Sequence, residues 1–78
     1  MNDAYLAKLA CEELGETLFF AGIERKLERS VIRGKKAYIY TTPLFTLTIQ
    51  GRNINIDGEK FRSVSACKRF IQEVYVSC

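Results

Sequence analysis

The stretch Phe45–Arg62, FTLTIQGRNINIDGEKFR, holds two turn signals set inside three short alternating runs. Phe45, Leu47 and Ile49 alternate with Thr46, Thr48 and Gln50, the period of two expected of a strand with one buried face. Gly51-Arg52 places glycine first in a two-residue turn, which suits type II′, and Asp57-Gly58 is a common type I′ pair. These turns fix a register. Gln50 falls opposite Asn53 and Ile56 opposite Glu59, so Ile49, Ile54 and Phe61 share one cross-strand row and Leu47 lies beside Ile56 in the next. The other face then carries Gln50, Asn53 and Arg62 in one row and Thr48, Asn55 and Lys60 in another. The stretch therefore predicts an antiparallel meander with one apolar and one polar, cationic face.

Ser63-Val64-Ser65-Ala66 follows at once, and either serine suits a helix N-cap. Behind it Val64, Cys67, Phe70, Ile71, Val74 and Cys78 recur at helical spacing, with Lys68, Arg69, Gln72 and Glu73 on the other side. The spacing predicts a helix over 63–77 whose apolar stripe lies on the apolar sheet face, because a small sheet needs such a cover.

Before the meander, Asn2 or Asp3 can cap a first helix with Leu6, Leu9, Ala10 and Leu14 on one side and Gly15 at its end. The pattern resumes from Glu16 through Leu18, Phe19, Phe20, Ile23 and Leu27. Glu24, Arg25, Glu28 and Arg29 are strong helix formers, so a second helix is expected despite Gly22; one helix bent at Gly15 is the alternative. Arg33-Gly34-Lys35-Lys36 is a polar break. Ala37–Thr42 is strand-forming by its aromatic and β-branched content, and Thr42-Pro43 reads as a turn. The expected architecture is thus α+β, in a single domain over 1–78. N-terminal helices occupy 1–30, a three- to four-stranded antiparallel meander 37–62, and the C-terminal helix packs on one sheet face.

Seventy-eight residues, 47% of them hydrophobic and 27% charged, describe an ordinary globular domain near the lower size at which an apolar core alone suffices. Such a chain has little room for a large cleft, and no run approaches the roughly 20 apolar residues of a membrane helix. The acidic start is the reverse of a secretory signal or transit peptide, so an intracellular, cytoplasmic protein is expected. Three widely spaced cysteines suggest neither a disulfide framework nor a paired metal motif. Cys11 and Cys67 read as small buried hydrophobes, and Cys78 as an idle terminal thiol.

The chain contains no histidine, which removes the usual general base and the commonest transition-metal ligand. Gly34-Lys35 lacks the earlier glycine of a phosphate loop, because Arg29 stands in its place. Asn53–Gly58 matches the opening of a calcium-binding EF-hand loop, but Val64 occupies the position that needs a bidentate glutamate, and the hairpin explains the same residues. Neither an enzyme nor a cofactor is expected.

The net charge of +3 is unevenly spread. Asp3, Glu12, Glu13 and Glu16 make the head acidic, whereas Arg25, Lys26, Arg29, Arg33, Lys35 and Lys36 face only Glu28 in the middle. Such asymmetry points toward a polyanionic partner or an acidic protein surface; solvated charges that confer solubility give the same pattern.

The sheet with glycine turns, followed directly by a helix beginning SVSACKRFI, resembles the arm-type, AP2-like DNA-binding domains at the N-termini of phage integrases, over residues 37–76. That resemblance implies DNA contact through Thr46, Thr48, Gln50, Asn53, Asn55, Lys60 and Arg62. More loosely, the chain is similar to short proteins of phages and mobile elements that bind and block host machinery.

Two functions are therefore expected to compete. One is a non-enzymatic inhibitor or modulator of a host protein or ribonucleoprotein complex, docking Arg25, Lys26, Arg29, Arg33, Lys35 and Lys36, with Tyr38 and Tyr40 as aromatic anchors. The other is nucleic-acid binding through Thr48, Gln50, Asn53, Asn55, Lys60 and Arg62. Self-association through an edge strand is a further possibility, and no membrane partner is expected.

Overall fold

A computed structural model describes residues 3–76. Its elements in order are α1 (Asp3–Phe20), β1 (Lys26–Ile32), β2 (Lys35–Thr41), β3 (Thr46–Gln50), β4 (Asn53–Ile56), β5 (Glu59–Phe61) and α2 (Val64–Ile71), which runs into a π-helical turn (Gln72–Val76). The strands form one antiparallel sheet in sequential order. Both helices cover the same sheet face, so the α+β class and the helix-on-sheet packing are as the sequence predicts. The proposed caps at Asn2 and the role of Cys78 lie outside the described residues.

The β3–β5 register is the one dictated by the two turns. Ile49 pairs with Ile54 and Ile54 with Phe61, while Leu47 pairs with Ile56 and Gln50 with Asn53. Asp57 and Gly58 both take positive φ, 48° and 93°, as a type I′ turn requires. Ser63 caps α2 by accepting a hydrogen bond on Oγ from the Ala66 amide at 3.1 Å. The core joins Leu14 and Leu18 of α1 to Leu47 and Ile49 of β3 and to Cys67 and Ile71 of α2, all essentially inaccessible to water.

The N-terminal third departs from expectation. One uninterrupted helix, not two, occupies Asp3–Phe20, and Gly15 lies inside it. The helix ends instead at Gly22, in left-handed backbone with φ 72°. The Gly22 amide donates to the Phe19 carbonyl and the Ile23 amide to the Leu18 carbonyl, each at 3.0 Å. This is the Schellman pattern, with Leu18 and Ile23 both buried in the same core cluster. Residues 26–30, expected to be helical, belong to a fifth strand. Pairing with β2 and the β-branched Val31-Ile32 outweigh the helix-forming Glu28 and Arg29, whose propensity is worth only tenths of a kcal/mol per residue. Arg33-Gly34, read as a break, is a hairpin turn. Leu9, expected in the apolar stripe, is 42% exposed; Ala7 and Cys11 are buried instead.

At the other end the stripe Cys67, Phe70, Ile71, Val74 fails at its last member. The π turn holds more residues per turn than an α-helix, so Val74 rotates outward and Tyr75 comes to lie against Phe45, ring centroids 4.6 Å apart.

Candidate functional site

Positive φ at both Arg33 (53°) and Gly34 (78°) closes β1 onto β2 in a type I′ hairpin. The register sets Val31 opposite Lys36, Arg29 opposite Tyr38 and Leu27 opposite Tyr40. This gathers Arg29, Arg33, Lys35 and Lys36, all exposed, along a two-stranded ribbon and its tip. Among the described residues no carboxylate lies within ion-pair distance of these four cations. The other two cations of the run are engaged. Lys26 is 3.7 Å from Glu28, and the Arg25 guanidinium sits 5.4 Å from the centre of the Phe19 ring.

The ribbon's tip is tied to the body by Gln50. Its Nε2 donates to the carbonyls of Ile32 at 2.7 Å and Lys35 at 3.1 Å, reaching across β2 from β3. Ala37 on this side is buried.

The two tyrosines proposed as anchors separate. Tyr38 is half-buried and contributes to the rim of the core. Tyr40 is only 6% exposed, its hydroxyl donating to the Cys11 carbonyl at 2.9 Å and accepting from the Cys11 thiol at 3.4 Å. Burial, with the Cys11 contact adding to it, pushes its hydroxyl far above the ordinary tyrosine range. Tyr40 is therefore a core residue and presents no surface for an anchor. It also occupies the space that a Cβ at Gly15 would need.

The sheet face opposite the helices holds the second candidate set. Thr48, Asn55 and Lys60 form one row, with Ile39 of β2 continuing it on the other side. Two of the three amides expected to read bases have internal partners: besides the Gln50 strap, Asn55 Oδ1 accepts from the Gly58 amide at 2.7 Å and shapes the turn. Asn53, Lys60 and Arg62 are exposed, and Lys26 and Lys35 of the ribbon lie on this same face by register.

The outer edge of β1 is a further exposed surface, one that a helix over this segment does not predict. This strand ends the sheet, and α1 packs on β2 and β3 but leaves β1 outside the helical layer. Leu27 and Val31, on the helix side of the sheet, stay 43% and 66% exposed. Alternating Leu27, Arg29 and Val31 was the available signal, masked by the neighbouring helix formers.

Among the described residues no group of three or more His, Cys, Asp or Glu is placed to hold a metal ion, and no helix is long and apolar enough to cross a membrane. Cys67 is buried, and burial pushes its thiol up to about 12, so it stays protonated and unreactive at neutral pH. What the fold and this surface define is an α+β meander with a cationic edge ribbon. No family model, no curated protein and no solved structure matches the chain.

Proposed function

We propose that this chain is a small non-enzymatic binding protein that docks its β1–β2 ribbon on an acidic surface of a host macromolecular complex and thereby inhibits or modulates it. One observation carries the reading: the exposed Arg29 and Lys36 on the helix side of the β1–β2 ribbon, Lys35 on its other side and Arg33 at its tip have, among the described residues, no carboxylate within ion-pair distance. Four unneutralised cations on a preformed ribbon raise the local concentration of an acidic partner and speed its encounter. An origin in a phage or other mobile element fits a short chain that acts by blocking a surface.

A second reading, nucleic-acid binding by the polar face, is favoured by a different observation. Both helices lie on the opposite side of the sheet, leaving Asn53, Lys60 and Arg62 uncovered at one end of the strand order, with Lys26 and Lys35 exposed on the same face at the other. Binding of poly-glutamate, random duplex DNA and single-stranded DNA, each at low and moderate salt, separates the two. The first reading expects poly-glutamate to bind and K35E/K36E to abolish it, with K60A unchanged. The second expects DNA to bind with a slope of log K against log salt of about −0.9 per phosphate contacted, flattened by one such step in K60A. Absence of poly-glutamate binding at low salt overturns the first reading.

A further inference from the structure

We infer that β1 is a receptor edge for strand addition, and that its occupant is an extended acidic segment of a partner protein with the pattern apolar–x–Asp/Glu–x–apolar. The inference rests on the ribbon being an acid-seeking surface and names how the partner is held.

The backbone comes first. In the type I′ hairpin the residues flanking the turn, Ile32 and Lys35, form the hydrogen-bonded pair, and pairing alternates from there. Ile32, Ser30, Glu28 and Lys26 therefore direct their N–H and C=O groups toward β2. Leu27, Arg29 and Val31 direct theirs outward, where no strand follows. An incoming antiparallel strand finds three outward-facing residues in a row.

Side chains then set its sequence. Leu27, Arg29 and Val31 also share the helix side of the sheet, as their partners Tyr40, Tyr38 and Lys36 show. A residue opposite Leu27 or Val31 meets exposed apolar surface, and a residue opposite Arg29 meets an unneutralised guanidinium. Directly opposite pairs of like type or opposite charge stabilise, and like charges oppose pairing. Alternate apolar, acidic and apolar residues satisfy all three positions.

The same arrangement disfavours a second copy. A two-fold continuous sheet that sets Leu27 against the other copy's Val31 must set Arg29 against Arg29. Moving the register to avoid this places Arg29 opposite Leu27 or Val31. Edge charges of this kind are a recognised guard against self-pairing, and here the guard is itself complementary to an acid.

The test uses the intact protein and four synthetic peptides: Thr-Val-Thr-Glu-Thr-Val-Thr, a rearrangement of the same residues with the valines adjacent, the first peptide N-methylated at alternate amides, and the first peptide with Lys in place of Glu. Binding is followed by the amide spectrum of the protein. The patterned peptide should bind roughly tenfold more tightly than the rearranged one, from the pair preferences combined. Its binding should slow exchange of the Leu27, Arg29 and Val31 amides. N-methylation on the pairing edge should abolish binding, and R29E should transfer preference to a peptide with Lys in place of Glu. Equal binding of the first two peptides overturns strand addition while leaving acidic docking standing. So does failure of every peptide while poly-glutamate still binds, whereas failure of poly-glutamate as well removes both readings. A dimeric free protein with these amides already protected overturns the choice of occupant.

Discussion

Gly15 sits inside α1 with the Tyr40 hydroxyl directly over its Cα. Glycine after an apolar helical run is a usual stop, but here α1 runs on through it, and the residue is glycine because the Tyr40 hydroxyl fills the room a Cβ would take. Gly15→Ala sets two effects against each other. Alanine gains about 1 kcal/mol of helix propensity, and overpacking against a buried ring costs about 1–3 kcal/mol. We expect a net loss of stability by denaturant unfolding. In a Tyr40→Phe background, which lacks the obstructing oxygen, the Gly15→Ala penalty should shrink by at least about 0.5 kcal/mol. Additive losses would show that the contact is relieved some other way. Nothing near Gly15 in sequence announces Tyr40, so this stop signal is not resolvable locally, and at Gly22 the strong helix formers that follow, Glu24, Arg25, Glu28 and Arg29, mask the true end of the helix.

At the level of elements, β3 to β5 were legible because two short turns leave one register that puts every apolar side chain on one face. A one-residue slip would expose Leu47, Ile49, Ile54 and Ile56 together, all of which are buried. The end of the chain had no comparable constraint. A stripe at α-helical spacing assigns Val74 to the sheet, but a π turn substitutes Tyr75, which joins Phe45, Phe61 and Phe70 in an aromatic cluster. Tyr75→Ala should cost roughly 2–4 kcal/mol, below the value for a fully buried aromatic because Tyr75 is only half-buried. Val74→Ala, at a position 53% exposed, should stay within about 0.5 kcal/mol. Equal effects on the melting transition would mean that the helix runs on with its original spacing. β1 was missed because Glu24, Arg25, Glu28 and Arg29 favour helix locally, and only pairing with β2, formed across the Arg33-Gly34 turn, selects the strand.

Across the whole molecule the two helices concentrate burial over β3 and leave β1 as the least covered part of the sheet. Amide exchange should record that gradient: slowest at Leu47 and Ile49, faster through β1. Within β1 it should alternate, with Leu27, Arg29 and Val31 exchanging more rapidly than Glu28 and Ser30. Uniform protection along β1 would contradict the outward assignment of its backbone groups. The cations of the candidate surface were visible from the charge run alone, but their grouping was not, since Arg25 and Lys26 are drawn off by Phe19 and Glu28 and Tyr40 turns inward. The Gln50 amide also changes what kind of object the ribbon is. Bonded to Ile32 and Lys35 on either side of the turn, it holds the tip against β3 across the intervening strand. A loose hairpin would surrender its conformational freedom on meeting a partner. A pinned one has already surrendered it during folding, so less of the contact energy is consumed in ordering, and complementary charge is presented rather than recruited.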